Sequence, residues 1–209
     1  MNTLGELFGG DVKVKLIRLF LFNEKSVFFL EEIVRRVKAP LKSIRKDIQS
    51  LIKSDFLKKN ITITKDIEVE NGKSKRLKKL KGPSYSLNER YPYLQPLRNL
   101  LIVSSINADE SLLKRFSNHG RIKLFVVSGI FLQNYDSRAD LFIVGDDLEH
   151  RKIESVISSI ESELGKEINY SIMNVSDFEY RMGIHDKLVR DVFDYDHITL
   201  LDRLGIENK

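Results

Sequence analysis

Apolar residues recur at helical spacing in three consecutive segments near the start of the chain. The pattern predicts helices over residues 11–22 and 30–37, and a third helix that begins at about Pro40 and runs to about Ser54. Pro40 disfavours helical backbone at the residue before it but is tolerated in a first helical turn, so it separates the last two helices. Two short helices joined by a tight turn are typical of a helix-turn-helix.

The third predicted helix, residues 41–54, is amphipathic and cationic. Its apolar positions predict an inward face that consists of Leu41, Ile44, Ile48, Leu51 and Ile52. The polar positions lie on the outer faces, where they suit phosphates and base edges in a major groove. We therefore expect DNA binding by Lys42, Ser43, Arg45, Lys46 and Gln49.

A basic hairpin, or wing, is predicted after these helices. Segments 61–70 and 73–81 flank Asn71-Gly72, a dipeptide that favours a two-residue hairpin turn, and SYSL at 84–87 is typical of a returning strand. The second arm has six cations in nine residues: Lys73, Lys75, Arg76, Lys78, Lys79 and Lys81. Such a ribbon can neutralise phosphates along DNA, although any one lysine alone is typical of a solvated surface.

From about Ala108 the pattern changes to alternating helices and β-rich runs. It predicts helices over 108–120 and 148–165 and strands over 121–129, 137–146 and 167–174. These elements together indicate an α/β unit of about 100 residues.

The charge of the chain changes sign along its length. Residues 1–90 carry 21 Lys and Arg against 11 Asp and Glu, a net of +10, and residues 91–209 carry 14 against 19, a net of −5. Together they give the net charge of +5. This asymmetry indicates that the first half binds a polyanion and that the second half has another role.

Composition excludes several other classes of protein. The chain has no cysteine, which excludes a disulfide scaffold and a thiolate metal site, and its four histidines are too scattered to predict a metal site. It has no apolar run of membrane-spanning length and no secretory signal pattern at its start. We expect a cytoplasmic protein without a membrane partner, a metal or a cofactor.

Residues 11–100 resemble an ArsR-type winged-helix transcription regulator. The resemblance includes SYSLNERYPYLQPLRNLL, in which a strand ends in Leu-Asn and an aromatic and proline-containing stretch leads into a helix. It implies that residues 1–90 form a DNA-binding domain and that residues 91–107 form a linker or dimerisation helix in a homodimer. The implied dimer contacts are Leu94, Leu97, Leu100, Leu101 and residues 104–106.

Residues 108–209 resemble the minimal nucleotidyltransferase fold in their order of elements and in the motif Ser-Arg-Ala-Asp-Leu at 137–141. In that family a Gly-Ser turn holds nucleotide phosphates and an Asp-x-Asp pair holds two metals. Here Arg138 replaces the first aspartate, Asp140 is the second, and the turn is inverted to Ser128-Gly129. GKEINYSIMNVSDFEYR is similar to regulators that fuse a winged helix to such a domain.

The two resemblances together imply an α+β protein: an N-terminal winged helix-turn-helix, then an α/β nucleotidyltransferase-like domain with a small mixed sheet. The degenerate motif implies no catalytic residues. We expect Arg138 and Asp140 to form an internal ion pair in place of the metal. The alternative is that Ser128, Gly129, Arg138 and Asp140 bind a nucleotide or phosphate ligand without metal.

These observations predict a transcriptional regulator that binds double-stranded DNA, is not an enzyme, and uses its second domain for ligand sensing or assembly. Two alternatives remain open: an active nucleotidyltransferase that modifies a protein or RNA partner, and an antitoxin-like partner-binding module. The acidic residues near the end are expected on a solvated surface: Asp191, Asp194, Asp196 and Asp202.

Overall fold

In the computed structural model, residues 3–71, 74–103, 110–134 and 137–206 are described, with the backbone alone for 61–71, 74–81 and 102–103. The chain has the α+β composition expected from its sequence and divides into two compact units. The first unit is Met1–Leu101 with Ser162–Lys166, and the second is Ile102–Glu161 with Glu167–Lys209. The predicted linker, 91–107, contains the boundary at Leu101. Among the described residues, no helix has the length and apolar character needed to cross a membrane.

Four helices open the first unit: α1 Thr3–Phe8, α2 Asp11–Phe22, α3 Leu30–Val37 and α4 Leu41–Lys53. Helices α2 and α3 have the predicted bounds, α4 ends one residue early, and α1 is not foreseen by the sequence pattern. The backbone N–H of Phe29 donates to the Glu32 carboxylate at 2.9 Å, which satisfies one donor at the start of α3. Lys38 ends α3 in left-handed backbone, with φ of 51°.

The helices pack through the apolar positions that recur in their sequences. Phe20 of α2, Ile33 of α3 and Ile44 of α4 are completely buried, and Phe20 meets Phe28 edge-on with ring centroids 5.5 Å apart. Each such burial contributes about 1.5–3 kcal/mol to stability. The inward prediction for Ile44, Ile48 and Leu51 is confirmed, whereas Ile52 is half-buried. Leu41 was expected to face inward but is 42% exposed.

The sheet of the first unit contains β1 Val27–Phe29, β2 Leu57–Asn71 and β3 Ser74–Leu87 in the antiparallel order β1-β3-β2. The predicted hairpin is therefore present, paired from Leu57↔Leu87 to Asn71↔Ser74, with its two connecting residues outside the described ones. SYSL is not a separate returning strand. It continues β3, because Ser86 pairs with both Val27 and Lys58.

After β3 the chain forms α5 Leu94–Arg98 and a π-helical turn, Asn99–Val103. Leu101, expected in a dimer contact, is completely buried within the chain, so it has no surface left for a partner. Leu94 and Leu97 are half-buried and Leu100 is 41% exposed, while residues 104–106 lie outside the described residues.

Arg18 of α2 is a buried arginine whose side chain hydrogen-bonds the backbone of the segment after α5. It donates from Nε to the Leu101 carbonyl at 2.9 Å and from Nη1 to the Glu163 carbonyl at 3.0 Å. All three residues belong to the first unit. Burial lowers the pKa of Arg18, and the nearby Glu163 partly opposes that shift.

The second unit contains α6 Glu110–Lys114, β4 Arg121–Ser128, β5 Leu141–Asp146, β6 Tyr170–Met173, α8 Val175–Gly183, α9 Lys187–Asp194 and β7 His197–Asp202. Helix α7, His150–Leu164, lies between β5 and β6 in the chain. The sheet is mixed, in the order β6-β5-β4-β7: β5 and β6 are parallel and the other pairs antiparallel. Strand β5 begins at Leu141 rather than at 137, α6 is shorter than predicted, and β7 is not foreseen.

Both central strands of this sheet are buried on their two faces, which explains their continuous apolar sequences. On one face, Leu124 and Phe142 pack against Phe178 of α8 and Val189 of α9. Phe142 and Phe178 meet edge-on at 5.9 Å. Helices α8 and α9 thereby cover this side of the sheet.

Candidate functional sites: the α4 surface and the Asp140 junction

Four of the five DNA-binding residues predicted on α4 share one exposed face. Lys42, Arg45, Lys46 and Gln49 are all exposed and stand at positions i, i+3, i+4 and i+7, which places them in one row along a helix. We call this row the α4 stripe. Ser43, the fifth, is half-buried beside it.

The α4 stripe carries three positive charges within two helical turns. Among the described residues, no carboxylate forms an ion pair with Lys42, Arg45 or Lys46. The one acid of the helix, Asp47, is buried. The exposed face is therefore a local cationic field, suited to an anionic polymer.

Contacts on the opposite side hold α4 in place. Ile44, Ile48 and Leu51 are buried, and Lys13 of α2 donates to the Ser50 hydroxyl at 3.1 Å. At the end of the helix, the N–H of Phe56 donates to the Leu51 carbonyl at 3.0 Å. The stripe is thus presented on an anchored helix.

Beside the stripe is a groove of about 610 Å³ between α3, α4 and the base of the hairpin. Its lining includes Val34, Leu41, Arg45 and Pro83. The groove explains why Leu41 is exposed although its spacing matches the inner face. Sequence periodicity does not reveal the groove, because the groove depends on where β3 lies relative to α3 and α4.

The predicted wing residues are described only as backbone. In the register of β2 and β3, Lys75 lies opposite Glu70 and Lys79 opposite Asp66, whereas Arg76 lies opposite Val69 and Lys78 opposite Ile67. Lys73 lies outside the described residues, as do the side chains of the other four. That these residues bind DNA stays a prediction.

The second candidate site, which we call the Asp140 junction, consists of the buried residues Ser128, Gly129 and Asp140 and the half-buried Ser137. The Asp140 carboxylate accepts the N–H of Ile130 at 2.7 Å through Oδ1 and that of Asn169 at 2.8 Å through Oδ2. Both oxygens therefore have backbone donors, and Asp140 joins the turn after β4 to the segment before β6.

Gly129 is required by this arrangement. Its φ of +56° is left-handed, and a Cβ at this position would overlap the Asp140 carboxylate. The hydroxyls of Ser128 and Ser137 lie 3.0 Å apart, and both bond the Ala139 carbonyl. The junction is thus internally satisfied.

Arg138 does not form the expected ion pair with Asp140. Its Nε lies 2.6 Å from Oδ2 of Asp191 on α9. The expectation placed Arg138 and Asp140 on one strand face, but β5 begins only at Leu141, so strand alternation does not apply to them. Asp191 was expected on a solvated surface and is instead buried beside Val192.

The structure thus brings Ser128, Gly129 and Asp140 together but directs the Arg138 guanidinium to α9. Whether these residues bind a phosphate-bearing ligand stays a prediction. Among the described residues, no group of three or more His, Asp or Glu could hold a metal ion.

On the nearby strand β6, burial together with Glu154 and Glu161 raises the pKa of Tyr170.

Searches with this chain against protein-family models, curated proteins and solved structures find no match. A functional assignment must therefore be argued from the chain's own residues.

Proposed function

We propose that the protein is a DNA-binding transcriptional regulator whose first unit is a winged helix. Helix α4 would enter the major groove and the β2–β3 hairpin would contact the DNA backbone. The observation that carries the proposal is the α4 stripe, a row of exposed cations without described carboxylate partners on a helix anchored by its other side.

Each side chain of the stripe has a chemical role in this proposal. Lys42 and Lys46 would neutralise phosphates, which releases counterions and dominates affinity. Arg45 can donate two hydrogen bonds to guanine, and Gln49 can both donate to and accept from adenine. Together they would combine positioning and sequence recognition on a single helix face.

The remaining features of the proposal concern assembly and the second unit. We infer a homodimer, because dimeric helix-turn-helix proteins read two half-sites, and because Leu100 is exposed and Leu94 and Leu97 are half-buried in the linker. The order β4, β5, α7, β6, with β5 and β6 parallel, supports a nucleotidyltransferase-like fold. Its proposed role is ligand sensing or assembly in a cytoplasmic regulator.

The alternatives lack a comparable observation. An active nucleotidyltransferase would need Asp140 at its metals, and both oxygens of that carboxylate accept backbone N–H groups. An antitoxin-like partner binder is tested by a pull-down, which would recover one stoichiometric protein while DNA binding is absent.

Selection of bound genomic fragments, followed by titration at several salt concentrations, tests the proposal. We expect log K to fall steeply with log salt, and Lys46→Ala to reduce that slope by about one, because each phosphate contact contributes about 0.9. Gln49→Ala should relax sequence preference with little change in slope.

Lys187→Ala is the matched control, since Lys187 is an exposed lysine at the start of α9 in the other unit. It should leave the slope unchanged. Failure to recover any fragment, or affinity independent of salt, would contradict the proposed function.

A further inference from the structure

A second groove lies in the second unit, and Arg190 in its lining is 4.0 Å from Asp191, the ion-pair partner of Arg138. It is formed by α8, α9, the first residue of β7 and Ile206, and its volume is about 520 Å³. Small-molecule sites range over about 300–1,000 Å³. None of Ser128, Gly129, Arg138 and Asp140 lines it. We call it the α8–α9 groove.

One wall of the α8–α9 groove is apolar and fixed by the core. It consists of Met182, Val189, Phe193 and Ile206. The Phe193 ring packs against Phe142 with centroids 6.3 Å apart and also against Phe178, and both of those rings are fully buried. The aromatic wall is therefore preformed and can receive a flat ring at little cost in ordering.

The rim of the groove is polar but electrically balanced. Arg181 lies 3.6 Å from Asp186, and Arg190 lies 3.4 Å from Asp194. Two arginines and two aspartates thus neutralise one another around the apolar wall. A charged ligand would have to disrupt a pair, whereas an uncharged ligand is complementary to the groove as it stands.

Two histidines line the groove, His185 and His197, and the ring of His197 is held in a defined orientation. That ring meets Phe193 edge-on at 5.5 Å, and its Nδ1 lies 2.8 Å from the Tyr195 carbonyl oxygen. A carbonyl can only accept, so the ring donates from Nδ1, and in the tautomer with a single proton at Nδ1 the other nitrogen, Nε2, is the acceptor. The groove therefore offers a hydrogen-bond acceptor beside its aromatic wall.

We propose that the α8–α9 groove binds a small, flat, uncharged aromatic or heteroaromatic molecule that carries an N–H or O–H donor on its edge. The ring packs on Phe193, and the donor bonds His197 Nε2. This proposal does not rest on DNA binding, because every residue that it uses belongs to the second unit.

Indole is a suitable probe, because the chain contains no tryptophan to mask its fluorescence. Titration of the full chain into indole should give a saturable blue shift. 1-Methylindole lacks the donor and should bind about tenfold more weakly, the effect of one hydrogen bond. Indole-3-acetate carries a negative charge and should bind no more tightly than indole.

Variants connect the signal to the groove. Met182→Glu places a charge beside the apolar wall and should weaken indole binding at least tenfold. Tyr180→Glu is the matched control, on the same helix and 68% exposed but not in the lining, and should have no effect. His197→Phe keeps a ring and should abolish the difference between indole and 1-methylindole. Thermal unfolding would establish that each variant is folded.

Three results would overturn the proposal. They are no saturable shift with the wild-type chain, equal effects of Met182→Glu and Tyr180→Glu, and tighter binding of indole-3-acetate than of indole.

Discussion

Asp140 illustrates how a position in a sequence motif leaves the tertiary role of a residue open. The resemblance predicts a metal-binding position for Asp140, whereas its carboxylate accepts one buried and one partly buried backbone N–H and leaves no room for a side chain at Gly129. Arg138, two residues earlier, pairs with Asp191 on α9. Sequence spacing places these residues in one segment but contains no information about their tertiary partners.

Asp140→Ala should lower the free energy of unfolding of the second unit by about 3 kcal/mol, because it removes the acceptor of the buried Ile130 N–H and of the partly buried Asn169 N–H, and a buried donor left unsatisfied costs about 1–3 kcal/mol. Urea unfolding followed by circular dichroism measures this loss. Glu179→Ala, at an exposed site on α8, should change stability by less than about 0.5 kcal/mol. A stable Asp140→Ala protein that loses a metal-dependent nucleotide transfer would instead favour the enzymatic alternative.

At the scale of elements, periodicity predicts the helices of the first unit well. Helices α2 and α3 have regular apolar spacing, and proline separates α3 from α4, so their bounds follow from local chemistry. Residues 137–140 are predicted as strand but precede β5, because the apolar run that follows them does not show at which residue strand pairing begins. Strand β7 was missed, since its short sequence HITLLD becomes a strand only by pairing with β4.

The hairpin register gives a prediction for the wing. Opposite charges directly across an antiparallel pair stabilise each other, and the register puts an acid opposite Lys75 and Lys79 but an apolar residue opposite Arg76 and Lys78. If the wing binds DNA, replacing Arg76 and Lys78 by alanine should reduce the salt slope by about two. The matched double variant at Lys75 and Lys79 should reduce it less. Equal reductions would mean that cross-strand acids do not compete with phosphate.

At the scale of the whole molecule, the first unit is discontinuous in sequence. Besides the Arg18 bond to Glu163, Asn23 Nδ2 donates to the Gly165 carbonyl at 2.9 Å, and a Cβ on Gly165 would overlap the Leu19 backbone. The basic first half of the chain therefore needs five residues from the acidic second half, Ser162–Lys166, to complete it. The change of charge along the chain does not predict that the first unit includes residues from the acidic half.

A fragment of residues 1–101 should consequently be less stable than the same unit in the full chain. It removes the Glu163 and Gly165 carbonyls that accept from Arg18 and Asn23, and each such hydrogen bond contributes about 0.5–1.5 kcal/mol, or about 1.5–3 kcal/mol where the donor is charged. Amide hydrogen exchange on α2 measures the difference, and equal protection in fragment and full chain would contradict the prediction. Residues 1–166 contain the missing segment and provide the matched comparison.

The discontinuity also sets an order of events during synthesis. A ribosome releases the helices and hairpin of the first unit early, but Ser162–Lys166 follow only after 60 further residues, 102–161, have been made. Closing contacts between segments so distant in sequence is slow compared with closing local ones. The nascent helices can therefore collapse on one another before their hydrogen bonds to Glu163 and Gly165 can form, so the first unit is completed late although it is translated first.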